Sequence, residues 1–442
     1  MSTDRVAYGS AVAHPLPQAE PLPSTIPGEH VSERAPRTLR IVIVSQYFPP
    51  EVGATQSRMQ SFAEYLAARG HRVTVICEFP NHPHGTIPPR YSGRLLEVDR
   101  SNPYTVIRTW VKASPEKTQA SRLAFYLSFM SLATAVAPLA GKADVVLATT
   151  PPLFTGAAGL AIARMNAAPF VLDVRDLWPA AATSLGQISS GWPTTAAEIL
   201  ERRLYRSAAA TVAVTRPFCE HVDALRGKPP LTALVPNATL DLFFGPAEPR
   251  RPEGVPADAF LVTFAGTLGI AQALPTALDA AERLRESAHF AFVGEGPAKA
   301  QLVEEAQRRG LTNVSFHPQV PLEEVTGILA ASDALLVSLS AHPTFQSFVP
   351  SKMIDFMAVG RPVILAAAGE AARLMGIAGA GVVVPPEDSA ALAAAVRQLQ
   401  TDPDAVARMS RRGPEFARTR MRATQAARLE QVLLHTVERR RR

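Results

Sequence analysis

The sequence predicts an α/β protein built from two doubly wound parallel-sheet domains in tandem. Three observations carry that expectation. The chain has 442 residues, more than one ordinary domain and suited to two of roughly 200 residues each. Short apolar, β-branched runs recur along it, several of them opening into a loop and then a helical pattern, which is the grammar of βαβ units. Between the halves, Ala247 to Ala257 reads AEPRRPEGVPA, a proline-rich linker, after which the same grammar restarts.

Composition narrows the class. With 47% apolar and 19% charged residues the chain is globular rather than disordered. Cys77 and Cys219 stand far apart in no redox or metal-binding spacing, as expected of a reducing cytoplasm. Residues 1–37 are rich in proline, serine and charge and lack an apolar core, which predicts a disordered tail rather than a secretory signal. From Thr401 onward there are eleven arginines against five acids, a surplus of six that equals the whole-chain charge. Such a basic end suits an anionic lipid surface; nucleic acid is not expected, because few aromatic residues are interleaved.

The first domain is expected over residues 38–246. Leu39 to Phe48 is a buried strand, the loop PPEVGATQSR follows with Gly53 in it, and a helix runs from about Thr55 to Arg69. Gly70 stops that helix, and His71 to Cys77 is the second strand. No GxGxxG and no GK[ST] is present here, which disfavours a dehydrogenase or a P-loop NTPase. Asn81-His82-Pro83-His84-Gly85 follows as a loop facing the acceptor; its two histidines do not have zinc-site spacing. Leu123 to Gly141 carries no charge, and its polar residues and Pro138 favour a buried or membrane-surface helix over a span. Strands follow at Ala143–Thr149, Phe170–Val174, Thr211–Thr215 and Leu231–Pro236. Arg175 and Asp176 close the third-last of these, at the mouth of an open sheet where ligands bind.

The second domain is expected over residues 258–413. Its strands are Phe260–Ala265, His289–Val293, Ala334–Ser338, Pro362–Ala366 and Gly381–Val384, with the segment Val314-Ser-Phe-His-Pro after the second of them. The turn Gly266-Thr267-Leu268-Gly269 is sized for phosphate, and Gly294-Glu295-Gly296 ends the second strand. The stretch Pro350–Pro362, PSKMIDFMAVGRP, reads as a helix closed by Gly360. Ser351, Lys352 and the helix N-terminus suit a phosphate, and Asp355, one turn deeper, suits two sugar hydroxyls. Residues 414–442 are expected to cross back onto the first domain as helix and basic tail. Asp402-Pro-Asp404 has the D-x-D spacing of metal-dependent transferases, but its place before a helix indicates capping.

The chain resembles family-4 glycosyltransferases of the GT-B fold, two Rossmann-like domains facing across a cleft. Within them it is similar to the bacterial surface-polysaccharide group that includes N-acetyl-L-fucosamine transferases. The resemblance is carried by QYFPPEVGATQSRM, FPNHPHG, VLDVRDLWP, FAGTLGIAQAL, FVGEGPAKAQL and VPSKMIDFMAVGRPVI, in series from about residue 40 to 400. It implies retaining transfer of a hexosyl group from a nucleoside-diphosphate sugar, UDP-linked, without metal or other cofactor. The acceptor it implies is a glycan, lipid-linked, at the inner face of the cytoplasmic membrane, in exopolysaccharide or O-antigen synthesis.

By the same resemblance, the donor contacts Gly53, Gly266, Thr267, Gly294, Glu295, Gly296, Ser351, Lys352 and Asp355, the last holding the ribose. Catalysis falls to Lys352, Arg175 and Asp176, and the acceptor to Arg58, Asn81 and His82. The chain departs from the family at Ser347, where a glutamate touching the donor sugar is usual. It also departs at Thr267 and Gln272, where an arginine and a lysine are usual, and at Arg175, where many relatives carry histidine. Two other functions share this architecture: a sugar-nucleotide epimerase, and a non-catalytic nucleotide-sugar-binding partner.

Overall fold

A computed structural model describes residues 38–82, 84–116, 118–184, 191–227 and 232–442. The expected disordered tail, residues 1–37, lies outside them, as do Pro83 and Leu231.

The first sheet has eight strands: β1 (Arg40–Val44), β2 (Arg72–Glu78), β3 (Leu96–Asp99), β4 (Thr105–Thr109), β5 (Val145–Thr150), β6 (Phe170–Val174), β7 (Ala210–Ala213) and β8 (Thr232–Leu234). Their order is β3-β4-β2-β1-β5-β6-β7-β8, parallel throughout except where β3 pairs antiparallel with β4. The β3–β4 hairpin was not foreseen, because LEVD is short and half charged. The central strands β5, β6 and β7 are buried on both faces, as their near-continuous apolar runs require.

The second sheet has six: β9 (Phe260–Ala265), β10 (Ala288–Val293), β11 (Val314–His317), β12 (Ala334–Ser338), β13 (Val363–Ala366) and β14 (Gly381–Val384). All run parallel in the order β11-β10-β9-β12-β13-β14. Both sheets reverse strand order beside their first strand, between β1 and β5 and between β9 and β12. A crevice opens there at the carboxyl ends of the strands, and this is where such sheets hold ligands.

The chain joins the domains more than once. The linker packs against the second domain: Arg250 N donates to Gly327 O at 3.0 Å, and a side chain at Gly327 would meet Glu248 O. Phe218 of the first domain and Phe348 of the second meet edge to face at 5.3 Å. The return crossing comes later than expected. Pro414 lies inside the helix Pro403–Arg418, which stays on the second domain and packs behind the helix Ser351–Val359; Gly413 allows its close approach to Met357 O. The chain crosses at Thr419–Met421, where Thr239 and Met421 form a β-bridge. The helix Arg422–Arg441 then lies on the first domain, packing Leu429, Val432, Leu433 and Val437 among Ile41, Phe62, Leu66 and Val73. Its Glu430 accepts from His71 Nε2 at 3.0 Å and Arg69 Nε at 3.3 Å.

The uncharged run around residue 130 forms the helix Gln119–Ala135 and a following turn, Ala137–Ala140. Phe129 and Ala133 are buried against the sheet, while Leu123 and Leu127 are exposed. Among the described residues, no helix is long and apolar enough to cross a membrane.

Candidate active site

The organising stretch folds as the helix Ser351–Val359, entered through Pro350 and ended by Gly360 in the left-handed conformation (φ 76°). Pro350 offers no side-chain cap, so the partial positive charge of the N-terminus is not offset by a capping oxygen. Lys352 sits in its first turn. Its Nζ lies 3.8 Å from the centroid of Phe264 and is shielded from solvent, with no hydrogen-bond partner among the described residues. Burial pushes it down to about 7, against the opposing pull of Asp355.

Gly266 is next to it. The residue has φ 126°, a conformation that favours glycine, and a Cβ there would stand 2.7 Å from Lys352 Nζ. The two glycine turns are stacked on each other. Gly266 N donates to Val293 O at 2.9 Å, Leu268 N to Glu295 O at 2.9 Å, and Ala298 N to Leu268 O at 3.0 Å. A Cβ at Gly294 (φ 141°) would strike Gly266 O, and one at Gly296 the backbone of Leu268. Thus Gly266, Gly294, Gly296 and Lys352 form one cradle at the carboxyl ends of β9 and β10, with Thr267 exposed at its rim. Glu295 points out and pairs with Lys299 at 2.6 Å.

Asp355 carries an unpartnered Oδ1 and is raised to about 6, chiefly by burial; Thr239, Arg422 and Lys352 pull it back. Arg422 in turn donates to Ser57 O at 3.2 Å and Ser61 Oγ at 3.1 Å on the helix Ala54–Ala68. The carboxylate therefore stands where both domains and the returning chain meet. Ser347, at the position of the missing glutamate, donates its hydroxyl to Thr344 O at 3.1 Å.

Across the cleft, Arg175 and Asp176 follow β6 as expected. Arg175 donates to the Thr55 hydroxyl, tying this mouth to the loop that contains Gly53. Burial lowers Arg175 to about 10, opposed by Asp173, and raises Asp176 to about 6, opposed by Arg175. Asp176 Oδ1 has no hydrogen-bond partner among the described residues.

Two expected acceptor residues are turned to other work. Arg58 is buried and directed inward: it pairs with Asp173 at 2.8 Å and donates to Val235 O at 2.8 Å and Pro236 O at 3.0 Å. Its guanidinium is committed to the core, because Asp173, wholly buried in β6, needs a counter-charge. Asn81 is also buried; its Nδ2 donates to Glu78 Oε1 at 2.6 Å and Phe79 O at 3.0 Å. His82 remains exposed, with its backbone N donating to Glu51 at 2.8 Å. Asp173 was missed although VLDV announces it, an acid within an apolar strand. Glu78, directly after VTVIC, gives the same signal. Arg422 gives none, since only the crossing brings it to Asp355. Asp402 caps the next helix, accepting from Ala405 N at 2.8 Å, as its position indicated.

The similarities to known proteins follow this geometry. Residues 53–238 match the family described as glycosyl transferase 4-like domain, and residues 259–402 match glycosyl transferases group 1. The chain is 26% identical over 377 residues to the putative colanic acid biosynthesis glycosyl transferase WcaI of Escherichia coli K12, covering 81% of this chain and 92% of that one. It is 33% identical over 143 residues to an O-antigen chain mannosyltransferase C of E. coli, 31% of this chain and 36% of that one. Among solved structures, sucrose-phosphate synthase of Thermosynechococcus elongatus superposes with a TM-score of 0.67 at 20% identity, over 90% of this chain and 98% of that one. Anabaena HepE, solved with UDP and glucose, superposes with a TM-score of 0.66 at 17% identity, over 89% and 99%. A glycosyltransferase family model thus matches most of each domain, and the chain belongs to the family-4 glycosyltransferases of the GT-B fold.

Proposed function

We propose that the protein transfers a hexosyl group, with retention, from a UDP-sugar to a lipid-linked glycan in the synthesis of a cell-surface polysaccharide. The observation that carries this reading is the unpartnered Lys352 ammonium, set against Phe264 beside a cradle of glycines and an uncapped helix N-terminus. A buried cation without a counter-ion is costly, and a leaving diphosphate supplies the charge it lacks. In this reading Ser351 and the helix N-terminus share the diphosphate, and Gly266, Gly294 and Gly296 let the backbone approach it. Asp355 accepts from ribose hydroxyls. Arg175 steadies the facing loop, and Asp176 lies on the acceptor side of the cleft. The relatives add the class of substrate: HepE has been solved with UDP-glucose, and WcaI is assigned to colanic acid synthesis.

The membrane part of the proposal rests on Leu123 and Leu127, exposed on one helix, and on the arginines at 439–442. It places the protein in the cytoplasm, held at the inner membrane face. Retention by the lysine-assisted route needs no metal, and turnover in excess chelator checks that. The deciding experiment offers UDP-, GDP- and dTDP-sugars to the purified protein, with and without a membrane extract, and follows nucleotide release and product. Acceptor-dependent release of UDP with sugar in the lipid fraction is the expected result. Conversion of the donor without acceptor would identify an epimerase, and binding without turnover a non-catalytic partner. Anionic vesicles that fail to retain the protein at low salt would remove the membrane part.

A further inference from the structure

Sheet alternation puts Val42 and Val44 of β1 and Ile76 of β2 on the face covered by the helix Gln119–Ala135, packed with Phe129 and Ala133. The next residues in those rows are Gln46 and Glu78, so two apolar stripes end in polar side chains at the cleft. Both are buried, with exposures of 1% and 3%. Glu51, 8% exposed, comes back over them from the loop after β1: its Oε1 accepts from Asn81 N at 2.6 Å and His82 N at 2.8 Å. Asn81 links the two acids by donating its amide to Glu78 Oε1.

What is left open is specific. Gln46 Oε1 and Nε2, Glu51 Oε2 and Glu78 Oε2 have no hydrogen-bond partner among the described residues. Nor does either acid have an arginine or lysine in ion-pair contact there. Four buried polar atoms without partners are costly if nothing meets them, since each has given up its hydrogen bonds to water and gained none. Burial and the neighbouring Glu51 push Glu78 well above the usual carboxylate range; the Gln46 amide, near Glu78 but outside hydrogen-bond geometry, and the Asn81 amide pull the other way. The cluster therefore presents donors as well as acceptors: the open carboxyl oxygens of two acids and both ends of a primary amide. Sugar hydroxyls, each both donor and acceptor, match such a surface. A phosphate or uronate would bring further negative charge to two acids that have no arginine or lysine in ion-pair contact among the described residues. Tyr126 on the covering helix, whose phenol feels Glu78, stacks on Phe154 at 6.0 Å and walls one side.

We infer that Gln46, Glu51 and Glu78 form the subsite for the acceptor's terminal sugar, and that this sugar is a neutral polyhydroxylated ring. The inference rests on the transferase reading for the word acceptor, but the binding it asserts does not require turnover. The test is saturation-transfer NMR on the full chain with the methyl glycosides of glucose, galactose, mannose and N-acetylglucosamine, and with methyl glucuronide. At least one neutral glycoside should bind and the glucuronide should not. Gln46→Leu, which leaves no polar atom to bury, and the near-isosteric Glu78→Gln should each weaken that binding by roughly two- to tenfold, the effect of losing one hydrogen bond. UDP binding and the melting temperature show that each variant is folded. No transfer to any neutral glycoside, equal transfer to the glucuronide, or unchanged affinity in both variants would overturn the subsite and leave a cluster satisfied by water. Glycoside binding in a protein that consumes no nucleotide sugar would instead overturn the transferase reading and leave the subsite standing.

Discussion

Two buried cations, Arg58 and Lys352, stand on opposite sides of the cleft, and their surroundings could hardly differ more. Arg58 is saturated by Asp173 and two carbonyls, whereas Lys352 has an aromatic face, a glycine and no acceptor. A guanidinium with five fixed donors suits the first setting, a compact ammonium that can change partners the second. The contrast separates charge that holds the fold from charge kept for a ligand. It also extends to the two sheet mouths: the second domain offers glycine, backbone N–H groups and a lysine, while the first offers acids and amides.

The largest expected effect tests the fold side of that contrast. Asp173→Asn leaves Arg58 buried without its counter-charge, and the loss should be about 3–5 kcal/mol, read as a drop in the denaturant midpoint. Lys352→Ala should leave the midpoint close to wild type but lower turnover about 100-fold or more, the scale of losing one preorganised donor. If the two substitutions exchanged effects, the division would be wrong. Asp355→Ala should raise the donor KM about tenfold with a smaller change in kcat, because ribose contacts are similar in the ground and transition states.

A pH profile sharpens the same comparison. Lys352 has its folded value lowered to about 7, so the free protein loses the ammonium as pH rises through that point. The kcat/KM for donor should fall correspondingly above pH 7, whereas kcat at saturating donor should hold to higher pH, since a bound diphosphate favours the charged form. A kcat/KM independent of pH between 6 and 9 would exclude Lys352 as the diphosphate's cation. The smallest effect is reserved for the D-x-D pair: Asp402→Ala should cost about 1 kcal/mol of stability, the value of a helix cap, and leave turnover unchanged.

The same contrast explains what could be read in advance. The strands Phe170–Val174, Phe260–Ala265, Ala334–Ser338 and Gly381–Val384 were legible to the residue, because apolar β-branched runs bounded by loops admit few alternatives. So was the helix after Pro350, with its proline entry and glycine exit. The cradle around Lys352 was legible because its parts are local: two glycine turns and one helix start. Arg58 was not, because its partners Asp173 and Val235 lie more than 100 residues away and nothing near it in the chain announces them. Gln46 and Glu78 escaped for a different reason. Each continues an apolar alternation by one step, and only the pairing of β1 with β2 shows that the two ends coincide.

The terminal helix carries a consequence for biogenesis. Leu429, Val432, Leu433 and Val437 complete the core beneath β1 and β2, yet they are synthesised after the entire second domain. While the ribosome is still extending the chain, the first domain presents Ile41, Phe62, Leu66 and Val73 with no cover, the kind of transient apolar surface that chaperones hold. The second domain can close on its own schedule. The first becomes a finished body only when the helix Arg422–Arg441 has emerged and docks, so the two domains are completed in the reverse of the order in which their strands are made.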